Sequence, residues 1–249
     1  MEQKRSSWLS ALIIGVCIVV AFSALAFGLS HFRAQSTQGI SATGSASVDF
    51  EADLIIWRGS YTATAYSSQE AYAVIKEDAN QVKQYLISNG ISEDEIVFDS
   101  VEIGRTYSDI YDVNGNYAGS QPDGYELTQR VTVTSANIDL VESVSRDIST
   151  LLDQGVELSS GSPEYYYTGL DDLKLDLIDK ASANAKDRID IIAKNTDTKL
   201  GKLKSSSLGV FQITAQNSGT SSYSYDGAFD TSSRHKTATI TVRLEYGLR

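Results

Sequence analysis

Leu54 to Ala65, LIIWRGSYTATA, is the stretch whose pattern decides the fold class. Ile55, Trp57, Tyr61 and Ala63 share one parity, while Arg58, Ser60, Thr62 and Thr64 fall on the other. In a β-strand successive side chains point to opposite faces, so this alternation predicts a half-buried strand. Trp57 and Tyr61 then belong to a core rather than to a binding platform, because rings of that size on the apolar parity are burial anchors. A weaker strand precedes it, over Ile40 to Asp49, where small residues surround Gly44.

The period changes downstream. Ala71, Ile75, Ala79, Val82 and Leu86 recur at helical spacing after a Ser67 or Ser68 cap, and Asn89-Gly90 ends that helix. The acidic triplet Glu93-Asp94-Glu95 reads as a solvated corner before a strand from Ile96 to about Tyr107. Asp109 to Gly124 reads as a long polar hairpin loop with two turn dipeptides, Asn114-Gly115 and Asp123-Gly124. A strand returns over Tyr125 to Thr134, with Leu127, Val131 and Val133 interleaved with polar residues. Asn137 or Asp139 caps a second helix with Val141, Val144, Ile148, Leu151 and Leu152 on one face, and Glu142 and Arg146 form an i, i+4 pair on it.

A strand from Val156, interrupted at Gly161-Ser162-Pro163, runs on through Tyr165-Tyr166-Tyr167; alternation of faces places at least one of these tyrosines at the surface. The longest helix spans Leu170 to Asn195, with Leu173, Leu177, Ile178, Ala181, Ala185, Ile189 and Ile192 as its apolar face. The alanines let another backbone approach closely midway along it. A strand from Lys202 to Ala215, a mobile Ser/Gly/Tyr-rich loop over 217–236 and a strand from Thr237 to Tyr246 complete the chain. The order β-β-α-β-β-α-β-α-β-β predicts an α+β fold: an antiparallel or mixed sheet with three amphipathic helices.

Upstream of residue 30 the chemistry differs. Residues 8–29, WLSALIIGVCIVVAFSALAFGL, hold no charge, and 22 residues of helix span roughly the 30 Å hydrocarbon core of a bilayer. Lys4 and Arg5 precede the run and Arg33 follows it, which favours a cytoplasmic N-terminus. The expected organisation is a cytoplasmic segment 1–7, a transmembrane signal-anchor 8–29, a linker 30–39 and an extracytoplasmic domain 40–249. The rival is a signal peptide cleaved after Ala24-Leu25-Ala26, which leaves a secreted or periplasmic chain; cleavable apolar regions are usually about 7–15 residues, shorter than this one.

Beyond Arg33 about 215 residues remain, enough for one large domain or two small ones. They carry 18 Lys and Arg against 31 Asp and Glu, near −13, which opposes nucleic acid and anionic lipid headgroups as partners. Cys17 is the one cysteine, so no intrachain disulfide forms and the fold rests on packing.

Motifs for chemistry are sparse. His31 flanks the apolar run and His235 sits in a polar loop; HExxH, P-loop, dinucleotide and G-x-S-x-G patterns are absent from the sequence. Neither catalytic residues nor a cofactor follow from it, although an acid-pair hydrolase remains an alternative because its carboxylates converge only in space. Asp112, Asn114 and Asn116 match the first ligand positions of a calcium loop with Asp123 at the twelfth, but Tyr117 stands where the sharp turn needs Gly. The alternative binding surface is aromatic: Tyr107, Tyr111 and Tyr117 in one loop, and Tyr223, Tyr225 and Phe229 in another.

Four segments carry a family resemblance. ISATGSASVDFEADLIIWRGSYT (40–62) resembles the opening of the SIMPL-domain family, formerly a domain of unknown function; Gly44 and Asp53 match, while Ala46 and Ala52 replace a Gly and a Pro. NGISEDEIVFDSVEI (89–103) is similar to that family's Gly-Ile segment, GYELTQRVTVT (124–134) to its Gly-Tyr strand, and LIDKASANAKDRIDIIAKNTDTKLGKL (177–203) to its Ala-rich helix ending in Leu-Gly. The resemblance covers about residues 40–246. It implies an exported α+β domain of the cell envelope, with no established catalytic residue, an association with stress tolerance and self-association of the kind seen in a ring-like member. A homo-oligomer, the membrane through residues 8–29 and an envelope protein or polymer are the expected partners.

Overall fold

The computed structural model describes residues 12, 14–27, 39–218, 224 and 226–249. In chain order its elements are β1 (Gly39–Glu51), β2 (Leu54–Ala65), α1 (Ser68–Ser88), β3 (Ile96–Phe98), β4 (Glu102–Tyr111), β5 (Tyr117–Ser135), α2 (Ile138–Asp147), β6 (Leu158–Ser160), β7 (Glu164–Tyr166), α3 (Leu170–Asn195), β8 (Leu200–Leu208), β9 (Gln212–Ala215) and β10 (His235–Leu248). Short 3-10 turns add Glu93–Glu95 and Ile148–Gln154. The class is α+β with antiparallel sheets, and the chain divides into two compact units.

The larger unit holds Ser47–Leu177 and Val210–Thr239. Its sheet runs β3-β5-β2-β6, with β4 also on β5 and β7 also on β2. β2 and β5 pair over their whole shared length, placing Trp57 opposite Val133 and Tyr61 opposite Gln129. Ile55, Trp57, Tyr61 and Ala63 are buried, together with Leu127, Val131 and Val133 of β5. Ala71, Ile75, Val82 and Leu86 of α1 and Val141, Val144, Ile148 and Leu151 of the α2 region join the same core. The polar tips of the two large rings are satisfied: Trp57 Nε1 donates to Ser160 Oγ at 3.0 Å, and the Tyr61 hydroxyl to Gln129 Oε1 at 2.8 Å. Ring bodies in apolar contact with paired tips are what core burial of Trp and Tyr requires.

Local signals start the helices as expected. Ser67 Oγ accepts from Glu70 N at 3.2 Å, and Asn137 Oδ1 from Leu140 N at 3.3 Å, each satisfying a free amide of the first turn. The acidic triplet folds as a capped turn, with Glu95 accepting from Ser92 N and Glu93 paired to Lys83.

The smaller unit comprises Met1–Ala46, Ile178–Gly209 and Ile240–Arg249. β1 lies beside β10 and β10 beside β8, the latter pair antiparallel from Val242↔Leu208 to Leu248↔Leu200. Ala181, Ala185, Ile189 and Ala193 of α3 are buried, as are Ile240, Val242 and Leu244 of β10. Gly44 is where strand and helix meet: a Cβ there stands 2.2 Å from Ala185 N and 2.3 Å from Ala181 O. Only glycine permits that approach.

Several expected boundaries shift, for identifiable reasons. The strand expected over 96–107 is two: three residues separate Phe98 from Glu102, while their partners on β5, Val131 and Thr128, enclose only two. The Gln129 side chain bridges the break by donating to Asp99 O at 2.8 Å. The strand over 202–215 splits by the same one-residue mismatch at Gly209–Phe211. Asp109 to Gly124 is not a loop. β4 and β5 stay paired through it, and Asp123-Gly124 lies inside β5 rather than at a turn. Ile192 is exposed and Ala193 buried, because the buried side chains of α3 step by four from Leu177. Leu152 is likewise exposed, in the 3-10 segment that ends α2. Tyr165, Tyr166 and Tyr167 are each half-buried, so none of them stands free; Tyr165 donates to Glu142 and Tyr166 to Glu164, both at 2.9 Å. The described part of the 217–236 segment, expected to be mobile, is tied to β9 by hydrogen bonds. Gln212 accepts from Ser224 N and Ala228 N, and Ile213 N donates to Ala228 O at 2.7 Å.

Residues 14–27 of the apolar run are helical, while residues 8–11, 13, 28 and 29 lie outside the described residues. Among those described, no helix is long and apolar enough to cross a membrane. Fourteen helical residues cover about 21 Å, less than the hydrocarbon core. Most of the linker 30–39 also lies outside the described residues.

Candidate functional site

β2 ends opposite Tyr125, at Ala65, but β4 and β5 continue their pairing from Thr106↔Gly124 to Tyr111↔Tyr117. The result is a two-stranded arm with register shifts at Thr106/Tyr107 and Ile110/Tyr111, which add twist to a ribbon. Its side chains are unusually apolar for a solvent-facing hairpin. Tyr107, Tyr111 and Tyr117 are 59%, 60% and 62% exposed, and Ile110 and Val113 are exposed beside them. Tyr111 and Tyr117 meet edge-on across the ribbon, with ring centroids 6.2 Å apart. The first aromatic trio therefore shares one arm.

Asp112 closes the tip. Its Oδ1 accepts from Asn114 N at 2.8 Å and Asn116 N at 2.9 Å, and its Oδ2 from Asn116 Nδ2 at 3.2 Å. Gly115 supplies the left-handed residue, with φ of +80°. The Asn116 backbone amide, then its side chain and the Asn114 amide, hold the Asp112 carboxyl below the usual carboxylate range. Asp112, Asn114 and Asn116 thus come together as a turn. Asp123 lies seven residues further along β5, roughly 23 Å of extended strand away. Among the described residues, no group of three or more His, Cys, Asp or Glu is placed to hold a metal ion.

Of the second trio, Tyr223 and Tyr225 lie outside the described residues. Phe229 is half-exposed, packs against Tyr166 with centroids 6.4 Å apart and bridges to Ile213. Beside it, Lys236 is buried on β10; its ammonium donates to Asp230 O and lies 3.6 Å from Asp230 Oδ2. Burial pushes the Lys236 ammonium down from its ordinary value, against the pull of Asp230. Arg234 pairs with Glu51 and Asp139, and its own carbonyl accepts from Ala52 N. These contacts fasten the segment rather than expose a reacting group. His235, expected in a loop, is instead the first residue of β10.

A groove that the sequence did not indicate lies at the base of the arm. One pocket of about 310 Å³ is lined by Thr64, Tyr66, Thr106, Asp123 and Tyr125; a neighbouring one of about 270 Å³ adds Arg105 and Pro122. Tyr66 is 87% exposed, and the Arg105 guanidinium lies 5.7 Å from the Tyr125 ring centroid. Gly124 is required there, since a Cβ stands 2.6 Å from Ala65 O. Aromatic faces beside a carboxylate, a guanidinium and two hydroxyls can stack on and hydrogen-bond a polyhydroxyl ligand. The sequence signal was Asp123-Gly124, whose close packing in a strand looks the same as a turn dipeptide.

No curated protein matches the chain. Among solved structures it is similar to a de novo designed protein, Foldit4, at 17% identity over 43% of this chain and 93% of the other, with a TM-score of 0.18. A hydantoinase/carbamoylase family amidase from Burkholderia ambifaria follows at 13% identity, 45% of this chain and 28% of that one, TM-score 0.24. The regulatory subunit of aspartate kinase from Thermus thermophilus shares 11% identity over 83% of this chain and 89% of the other, at 0.22. The chain spans less than a third of that amidase, and scores of this size carry no argument for fold or activity. The sequence family is a different matter. The model for SIMPL, a protein of unknown function (DUF541), matches residues 40–246, the span over which the four segments resemble it, and the chain belongs to the SIMPL family.

Proposed function

We propose that this SIMPL protein is a non-enzymatic component of the cell envelope, anchored by residues 8–29 with its domain on the extracytoplasmic side, and that it self-associates through the β4–β5 arm. The observation that carries the reading is the arm itself. Five exposed aromatic and aliphatic side chains on one two-stranded ribbon cost free energy in water and gain it on association, at about 25 cal/mol per Å² of apolar surface covered. β4 is also an edge strand on β5, so a second copy can pair with its free backbone groups about a two-fold axis. The uncharged 22-residue run and Lys4-Arg5 support the anchor and its orientation.

The test is the mass of the full chain in mild detergent, alone and as Tyr107→Ser/Tyr111→Ser/Tyr117→Ser. The account expects an oligomer that the triple substitution converts to monomer with unchanged circular dichroism; a wild-type monomer at high concentration refutes self-association. A second reading, a binding module for an envelope polymer, is favoured by the groove lined by Tyr66, Arg105, Asp123 and Tyr125. Binding of soluble peptidoglycan fragments that Tyr66→Ala and Asp123→Asn abolish supports it, and unchanged binding refutes it. The association with stress tolerance predicts reduced oxidant survival in a deletion strain, restored by the intact gene.

A further inference from the structure

The net charge of the exported chain conceals a division. Residues 47–177 and 210–239, the larger unit, carry nine Lys and Arg against 26 Asp and Glu, net −17. Residues 39–46, 178–209 and 240–249 of the smaller unit carry nine against five, net +4. The smaller unit is also the one that contains the N-terminal apolar run in sequence.

Its cations gather at one end of the sheet. β1 starts at Gly39, whose Cα faces the Tyr246 carbonyl near the end of β10, and Leu248 pairs with Leu200 at the start of β8. Arg249 N donates to Lys199 O at 2.9 Å, closing that end. Lys199, Lys202, Lys204 and Arg249 are exposed there, with Lys194 on the last turn of α3 immediately before. The acids of the same region are Asp197 and Glu245, the latter accepting from Ser205 Oγ at 3.3 Å. Along β8, Leu203 stands half-exposed between Lys202 and Lys204, and nearly all the strand's side chains are exposed. Strand alternation puts Lys202 and Lys204 on one face, where their ammonium groups stand side by side toward headgroups.

From the geometry we infer that this end of the smaller unit docks on the anionic phospholipid headgroups of the membrane that holds residues 8–29. The inference rests on the anchor reading for its tether. Nine residues separate Leu29 from Gly39, which extended reach at most about 32 Å, so the basic end is confined near the bilayer surface. Surface charge acts over a Debye length of about 8 Å, and each Lys or Arg that reaches it strengthens binding about fivefold. The acidic unit is repelled by the same field.

The full chain is reconstituted into phosphatidylcholine vesicles and into vesicles with 30% phosphatidylglycerol. Flotation with the neutral vesicles reads the anchor alone; amide exchange of segments 196–209 and 243–249 reads docking. Docking predicts about tenfold slower exchange in the anionic vesicles, lost at 0.5 M salt and in Lys194→Gln/Lys199→Gln/Lys202→Gln/Lys204→Gln, with unchanged exchange at the β2–β5 core. Equal exchange in both vesicles, with flotation intact, overturns docking and leaves the anchor standing. If the chain does not float with neutral vesicles, the anchor reading fails. Salt-reversible binding to anionic vesicles that the quadruple variant loses then still supports the basic surface, and no binding overturns it.

Discussion

Gly44→Ala places a methyl carbon where the backbone of α3 already stands. Its Cβ would lie 2.2 Å from Ala185 N, 2.3 Å from Ala181 O and 2.7 Å from Ala185 Cα. Ordinary non-bonded contact begins near 3.4 Å, so strand and helix must part by about 1.2 Å. No rotamer relieves this, because every clashing atom is main chain. The displacement also stretches two ties across the same seam, Ser45 N to Asn184 Oδ1 at 3.2 Å and Arg188 to Thr43 O at 3.0 Å. It loosens the packing of the buried Ala181, Ala185 and Ile189 as well. Overpacking a tight site typically costs about 1–3 kcal/mol, and a backbone-limited one belongs at the top of that range. With a urea dependence of about 2 kcal/mol per molar, the unfolding midpoint falls by about 1.5 M. The assay is urea unfolding of the full chain in mild detergent, followed by circular dichroism. A second variant sharpens it: Gly44→Ala/Ala185→Gly removes a side chain but not the clashing N and Cα, so it does not rescue stability. A midpoint unchanged in Gly44→Ala, or full rescue by the double variant, refutes the close-approach argument.

Ser160→Ala leaves Trp57 Nε1 without its acceptor in the core and lowers stability by about 1–2 kcal/mol, read from the thermal unfolding free energy. The Asp112 carboxyl titrates below its ordinary range, so its contribution to the arm's turn is complete above about pH 4 and drains away as pH falls through the folded-state value. Amide exchange at Asn114 and Asn116 should accelerate on acidification and already be fast at neutral pH in Asp112→Ala; flat exchange in the wild type contradicts the turn. Asp78 is buried on α1, and burial, with Glu77 adding, raises its carboxyl. The ionised form is the disfavoured one in the folded state, so stability gained below the ordinary carboxylate range is lost as pH rises through the raised value. Asp78→Asn is expected to stabilise the protein at pH 7 in denaturant titrations, and a loss there refutes the assignment.

What the sequence made legible was whatever a short window encodes. The parity of Leu54–Ala65 and the caps at Ser67 and Asn137 were readable because strand alternation and first-turn amides are local demands. The Ala-rich face of α3 was readable as a close-approach surface, and Gly44 is the residue that uses it. The arm was misread as a loop because polar residues and two turn dipeptides mark solvent exposure, and a two-stranded ribbon is exposed on both faces. The breaks at 99–101 and 209–211 depend on a one-residue mismatch with a distant partner strand, which no window contains. The groove at the base of the arm escaped for the same reason: Tyr66, Arg105 and Asp123 are brought together only by β4, β5 and the end of β2. Net charge hid a different feature, by averaging an acidic unit with a basic one.

The central claim is that residues 8–29 stay in the membrane and hold the SIMPL domain outside the cytoplasm. Protease treatment of intact spheroplasts expressing the full chain tests it most directly. The account predicts that the domain is digested from outside while a membrane-embedded fragment containing residues 8–29 survives. A domain that stays protected until the cells are lysed, or that is recovered in the soluble fraction at reduced mass, contradicts it.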